Sequence, residues 1–321
     1  MNKAHLAAIA ALALSIPATA QEEAPSPNAI VDAAPQADWT AIPAEDLLVM
    51  TLAPDAQGSA REVVIQLIPA PFSQGWVENI RTLARARWYD DITVNRVQDN
   101  YVVQWGDPNY DNPESGGEAK PLPEGLRVMV EEEYIARGDV AGWQRFKDIS
   151  IPRGSIVTGY AAFESGWPVE VRGNPDSAQK WPVHCYGMVG VGRNLSPDTG
   201  SGAELYTVIG HAPRHLDRNI ALVGRIISGM EHLSSLPRGS GTLGFYTAEE
   251  ADKRTLILSV RVASDLPTED RPQFEYLSTE SEIFTRYAEA RANRRDPFFI
   301  VPAGGADICN IPVPIRAVSD E

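Results

Sequence analysis

The chain has 321 residues, 43% of them apolar and 22% charged, which excludes a disordered polypeptide and leaves room for one large domain or two small ones. Its formal net charge of -15 repels phosphate backbones, so no nucleic-acid partner is expected, and the acidity favours solubility. The first 20 residues read as an export signal. Lys3 gives a positive start, Leu6 to Ile16 form an apolar run too short to span a bilayer, and Ala18-Thr19-Ala20 offers a small-x-small cleavage site. Cleavage is predicted after Ala20, giving a periplasmic or secreted protein; a buried N-terminal helix is the alternative. No later run reaches the ~18 apolar residues of a membrane helix, so no membrane span is expected. Residues 21–58, rich in Ala, Pro, Asp and Glu, read as an acidic, partly extended linker with one short strand around Leu47–Thr51.

Order begins at Glu62–Ile68, a β-branched run typical of a strand, which Pro69 and Pro71 end. Val77, Ile80, Leu83 and Ala84 recur at helical spacing and predict a helix from about Phe72 to Arg85. Strands are predicted at Ile92–Val97 and Tyr101–Trp105, then a loop over 106–125 and a mixed stretch containing Val128–Val130 and Trp143–Phe146. Further strands follow at Tyr186–Val191, Glu204–Ile209, Ala221–Ile227 and Thr255–Val262, with a short helix at Met230–Leu236. Glu280 to Arg295 has helical spacing and precedes an irregular tail with Pro302, Pro312 and Pro314. Many short strands with few helices predict a mainly β protein, a closed antiparallel barrel with helices at its ends and a C-terminal extension.

Cys185 and Cys309 are the two cysteines. In an exported chain they form either a disulfide or two buried free thiols, and neither sits in a CxxC pair that would support redox or zinc chemistry. His211 and His215 are four apart, as helical zinc ligands would be, but Pro213 between them argues against a helix, so no metal is expected. Gly239-Ser240-Gly241-Thr242-Leu243-Gly244 lacks the lysine of a phosphate loop and reads as a turn, and no G-x-S-x-G elbow appears.

Several blocks in order resemble the cyclophilin family. Val94-Asn95-Arg96-Val97, three residues, then Tyr101-Val102-Val103-Gln104-Trp105-Gly106-Asp107 is similar to F-H-R-(three or more)-F-x-x-Q-G-G-D. Trp76–Ile80 and Trp88-Tyr89-Asp90 resemble the V-x-N-F helix and the segment after it. Gly187–Gly190 resembles G-x-x-S-M-A-N, Gly202–Tyr206 resembles G-S-Q-F-F, and His215-Leu216-Asp217 with Val223–Ile226 resembles W-L-D-(five)-F-G-x-V. The resemblance implies a cyclophilin-like domain over 59–265, with an insertion around 108–185 and an extension over 266–321. It implies a cyclophilin-type peptidyl-prolyl cis-trans isomerase acting, without cofactor and as a monomer, on proline-containing polypeptides during folding of exported proteins. A cyclophilin-fold peptide-binding or scaffold module with weak or no isomerase activity is the alternative.

The chemistry asks for few groups. Amide rotation costs ~18–20 kcal/mol because nitrogen donates its lone pair into the carbonyl, and X-Pro isomers exchange over tens to hundreds of seconds. A catalyst holds the proline ring in an apolar slot and stabilises a pyramidal nitrogen with a fixed donor, a task suited to a guanidinium. By resemblance Arg96 is that donor and Gln104 binds substrate backbone and positions Arg96. Tyr101, Val102, Tyr206 and Leu216 form the proline slot, and Val189 and Gly190 meet the peptide on the other side. Among the departures, Glu204 replaces a Gln and either pairs with Arg96 or biases binding toward basic peptides. His215 stands where Trp is common, which implies weak cyclosporin sensitivity, Ile220 stands at an often aromatic position, and Gly190 replaces Asn. Cys309 is expected to clamp the tail to the domain.

Overall fold

In the computed structural model the described residues are 24–110, 112–140, 143, 146 and 159–318; the expected leader and its cleavage site lie outside them. Helix α1 (Pro27–Asp32) is followed by strands β1 (Trp39–Ala41), β2 (Leu47–Leu52) and β3 (Arg61–Leu67). Helix α2 (Gln74–Arg85) leads to β4 (Ile92–Val97) and β5 (Val102–Gly106). The long segment that follows carries β6 (Ala136–Gly138), β7 (Gly159–Glu164), β8 (Trp167–Arg172) and β9 (Ala178–Pro182). Then come β10 (Met188–Val191), β11 (Leu205–Val208), β12 (Leu222–Ser228), α3 (Glu231–Ser234), β13 (Leu256–Val262), β14 (Phe274–Leu277), α4 (Glu282–Ala292) and β15 (Ile315–Ala317).

Eight strands close a barrel in the order β10-β11-β5-β4-β13-β2-β3-β12, all neighbours antiparallel. Strand residues alternate between faces, and β2 uses both. Leu48, Met50 and Leu52 point into the barrel core, while Leu47 and Val49 pack outside against Ile42, Val64 and Ala263. Helix α2 sends Trp76, Val77, Ile80, Leu83 and Ala84 into the main core, the face its spacing predicts. The helix starts at Gln74 rather than Phe72, because Ser73 sits at a left-handed φ of 51°.

Residues 24–58 depart from the linker reading. β2 is an interior barrel strand between β13 and β3, β1 pairs with β14 across a separation such as Trp39 to Leu277, and α1 packs on α4. Ile30, Trp39, Leu277, Phe284, Tyr287 and Ile311 form their own apolar cluster, with the Arg316 guanidinium 3.8 Å from the Trp39 ring centre. β2 falls where a short strand is expected and pairs with the neighbouring β3, whereas the order of β1 and α1 comes from partners far along the chain, which no local pattern displays.

Residues 108–185, expected as an insertion, hold a four-stranded sheet, order β6-β9-β8-β7, that the sequence reading missed. Ser165 and Gly166, at φ of 50° and 83°, supply the primed turn between β7 and β8. Phe146, Phe163 on β7 and Phe284 on α4 meet edge to face with centroids 4.9 to 6.5 Å apart, tying insertion to extension. Cys185, just before β10, is bonded to Cys309 in the tail. No helix among the described residues is long and apolar enough to cross a membrane.

Candidate active site

Strands β4 and β5 form a hairpin whose register shifts between Val94 and Arg96, leaving Asn95 as the extra residue of a bulge. A bulge re-aims the next side chain. Val94 and Asn95 are buried, and Arg96 emerges half-buried opposite Gln104. Asn95 secures the bulge by donating from Nδ2 to the Gly106 carbonyl at 3.0 Å.

The Arg96 guanidinium is fixed on three sides. Nε donates to the Leu243 carbonyl at 2.7 Å, Nη1 to Gln104 Oε1 at 3.1 Å, and Nη2 to Gln98 Oε1. Its carbon lies 5.6 Å from the Tyr101 ring centre and 5.5 Å from that of Phe245, within cation–π range. A guanidinium has five N–H donors, so two are left without a bond to described residues. Burial pulls its pKa below the ordinary value, opposed by Tyr101 and Tyr206; an arginine so placed stays cationic.

Beside it lies an apolar cluster separate from the barrel core, the place the sequence assigns to the proline slot. Val102, Tyr206 and Val208 are buried together, with Tyr101, Leu216 and Ile220 partly exposed around them. These are outward-facing positions: Val103 and Trp105 of β5 and Leu205 of β11 point into the main core instead. His215 is exposed and stacks on Tyr101, centroids 6.2 Å apart and planes at 11°. Burial raises the Tyr206 phenol well above the ordinary tyrosine range, so it stays protonated.

Arg96, Gln104, Tyr101, Val102, Tyr206, His215, Leu216 and Ile220 therefore gather at one place. Two expected members do not join as expected. Val189 is 1% exposed and packs in the main barrel core, because the inward face is taken at that step of β10. Glu204 is 4% exposed and lies against Gly106, where its Oε1 is 1.8 Å from where a Cβ would sit. Its charge acts on Tyr89, whose phenol is raised chiefly by burial and then by Glu204, and it does not figure among the influences on Arg96. Glu204 is thus not an exposed lure for basic peptides. Gly190 is the register partner of Tyr206 on the neighbouring strand.

Sequence reasoning missed Gln98, Leu243 and Phe245. The signal for the last two was the glycine-rich run 239–244, read as a turn. Leu243 there takes a left-handed φ of 55°, and its carbonyl faces Arg96. Among the described residues no three His, Cys, Asp or Glu side chains gather as a metal set.

Fold and site together define the class: a closed antiparallel barrel carrying, outside its core, one fixed cation beside an apolar cluster. The sequence matches the cyclophilin type peptidyl-prolyl cis-trans isomerase/CLD family over residues 59–262, and the chain belongs to that family. Among solved structures, cyclophilin AquaCyp293 from Hirschia baltica is similar at 22% identity and a TM-score of 0.64, covering 89% of this chain and 97% of that one. Its likeness in fold therefore extends past the 59–262 match into the added segments. Two structures of a Cryptosporidium parvum cyclophilin type peptidyl-prolyl cis-trans isomerase, one in the presence of the dipeptide Ala-Pro, align at 11% and 13% identity with TM-scores of 0.36 and 0.38. They cover 66% and 67% of this chain and 97% and 96% of theirs. No curated protein sequence matches.

Proposed function

We propose that this chain isomerises X-Pro bonds in polypeptides outside the cytoplasm and so assists the folding of exported proteins. One observation carries the catalytic reading: the Arg96 guanidinium, held by Gln104, Gln98 and the Leu243 carbonyl, stands beside the slot of Tyr101, Val102, Tyr206, Leu216 and Ile220. The slot takes the pyrrolidine ring by burial of apolar surface. The cation donates toward the prolyl nitrogen, which favours the pyramidal form and withdraws the lone pair from the carbonyl. Because the donor is already in place, little reorganisation accompanies the rotation. The reaction breaks no covalent bond and asks for no cofactor.

The extracytoplasmic reading rests on the leader-like residues 1–20 and on the Cys185–Cys309 bond, since disulfides persist in oxidising compartments. A protease-coupled assay on an Ala-Pro-Phe peptide tests the activity. The wild type speeds cis-to-trans exchange, and Arg96→Ala loses ~10²-fold or more of the enhancement while still folding, as loss of a preorganised donor does. Equal rates for the two proteins overturn the mechanism. Absence of turnover in both, with peptide binding kept, favours a binding module. N-terminal sequencing of protein from a periplasmic or culture fraction tests cleavage after Ala20.

A further inference from the structure

The insertion ends at His184, a fully buried residue that the proposed reaction does not use. Its Nδ1 lies 2.8 Å from Asp217 Oδ1, and its Nε2 lies 3.0 Å from the Tyr206 hydroxyl. Asp217 Oδ1 also accepts the main-chain N–H of His184 at 2.9 Å, and Asp217 Oδ2 accepts Arg214 Nε at 2.6 Å. Arg214 Nη2 donates onward to Glu170 Oε2 on β8 at 2.9 Å, and Arg172 Nη2 donates to Glu170 Oε1 at 2.7 Å. A continuous chain of charge-assisted bonds therefore joins the insertion sheet to a wall of the slot.

Proton positions follow from valence. A carboxylate only accepts, so the hydrogen on His184 is at Nδ1, and in the neutral ring Nε2 is then the acceptor. In that form the Tyr206 O–H donates to it, and in either protonation state the bond between Nε2 and the phenol oxygen holds the Tyr206 ring in place. The two rings lie nearly parallel, at 12°. A buried His with both nitrogens committed has little freedom to let that hydroxyl move.

We propose that His184 is a positioning residue for the proline slot: anchored by Asp217, it holds the Tyr206 ring in place through the phenol hydroxyl, so that the insertion sets the fit of the prolyl ring. The assay of this idea rests on the isomerase reading, whereas its binding arm needs only the slot.

The test compares His184→Leu, His184→Gln, Tyr206→Phe and the double variant His184→Leu/Tyr206→Phe in the full chain. KM and kcat come from the coupled assay, and the Kd of an Ala-Pro-Phe peptide from an NMR titration. His184→Leu is expected to raise KM and Kd by about 5- to 10-fold with kcat within about 2-fold, the pattern of lost ground-state fit. His184→Gln restores both constants to within about 2-fold, because its amide donates to Asp217 and accepts from Tyr206. With Tyr206→Phe already present, His184→Leu adds less than about 2-fold, because both changes cut one bond. Wild-type KM and Kd in a folded leucine variant overturn the proposal, as does failure of glutamine to rescue. An equal loss in the phenylalanine background overturns it too, since general loosening needs no hydroxyl. Should the leucine variant not fold, Tyr206→Phe alone must reproduce the rise, and wild-type constants there overturn it. If the wild type binds peptide without turnover, the isomerase reading fails while the Kd comparison still decides the role of His184.

Discussion

Gly190 and Tyr206 face each other across β10 and β11, and a Cβ at position 190 would fall 2.3 Å from the Tyr206 hydroxyl oxygen. The hydroxyl that reaches His184 occupies the space that an asparagine at 190, usual in the signature this chain resembles, would fill. Gly190 therefore makes room for the Tyr206 side chain. Gly190→Asn is expected to destabilise the fold by about 1–3 kcal/mol, the cost of overpacking a filled site. Adding Tyr206→Phe is expected to recover little of that loss, because two ring carbons of Tyr206 still lie 2.4 and 2.8 Å from that Cβ. Denaturant melts of the two variants check it; an unperturbed Gly190→Asn midpoint contradicts the geometry.

Glu204 separates by sequence from its structural role. Its carboxylate sits over Gly106 and raises the Tyr89 phenol, while the influences on Arg96 come from burial, Tyr101 and Tyr206. Glu204→Gln is thus expected to leave kcat/KM within about 3-fold, as for a change that removes no transition-state contact. A fall beyond ten-fold, or a lost preference for lysine-flanked prolyl peptides, would show the carboxylate acting at the groove after all.

The barrel was legible because its strands announce themselves: Glu62–Ile68 and Tyr101–Trp105 are runs whose burial depends on local pattern. Arg96 and Gln104 were singled out by the family resemblance, and the structure sets them opposite one another across a bulge that the strand pattern does not display. What escaped was decided at long range. β1 and α1 are ordered by β14 and α4, over two hundred residues away, so an Ala- and Pro-rich stretch read as a tether. The strand β7–β8 hairpin had its Ser165-Gly166 turn in plain view, yet its flanking runs were too mixed in character to register as strands. Val189 was misplaced for a different reason: a family motif names positions along a strand, and which face each takes depends on the barrel's own packing.

The Cys185–Cys309 bond closes a loop with a sequence separation of 124. Constraining the unfolded chain over such a loop stabilises by about 5 kcal/mol in the entropy model. Cys185→Ser/Cys309→Ser is therefore expected to lower the melting temperature by several degrees or more, with the tail becoming sensitive to protease first. Non-reducing mass mapping of the native protein should return the linked peptides. Two thiols that alkylate without reduction would remove the clamp from the account.

Glu250 governs the loop that feeds the Leu243 carbonyl to Arg96. Its Oε2 accepts the main-chain N–H of Ser240 at 3.0 Å and of Thr247 at 3.2 Å, and its Oε1 accepts Lys253 Nζ at 2.6 Å. Lys253 first, then the Ser240 N–H, hold its pKa down to about 2 from an ordinary 4.5. A carboxylate whose folded pKa is lowered stabilises fully above its unfolded value, and that contribution fades as pH falls from there through the folded value. The window is thus from about 4.5 down to about 2. Within it the wild type should lose stability more steeply than Glu250→Gln, which has no charge to lose; parallel urea midpoints across that range would contradict the assignment. At neutral pH the same variant loosens the turn and frees one partner of Arg96, so its kcat/KM is expected to fall several-fold while Gln104 and Gln98 still hold the guanidinium.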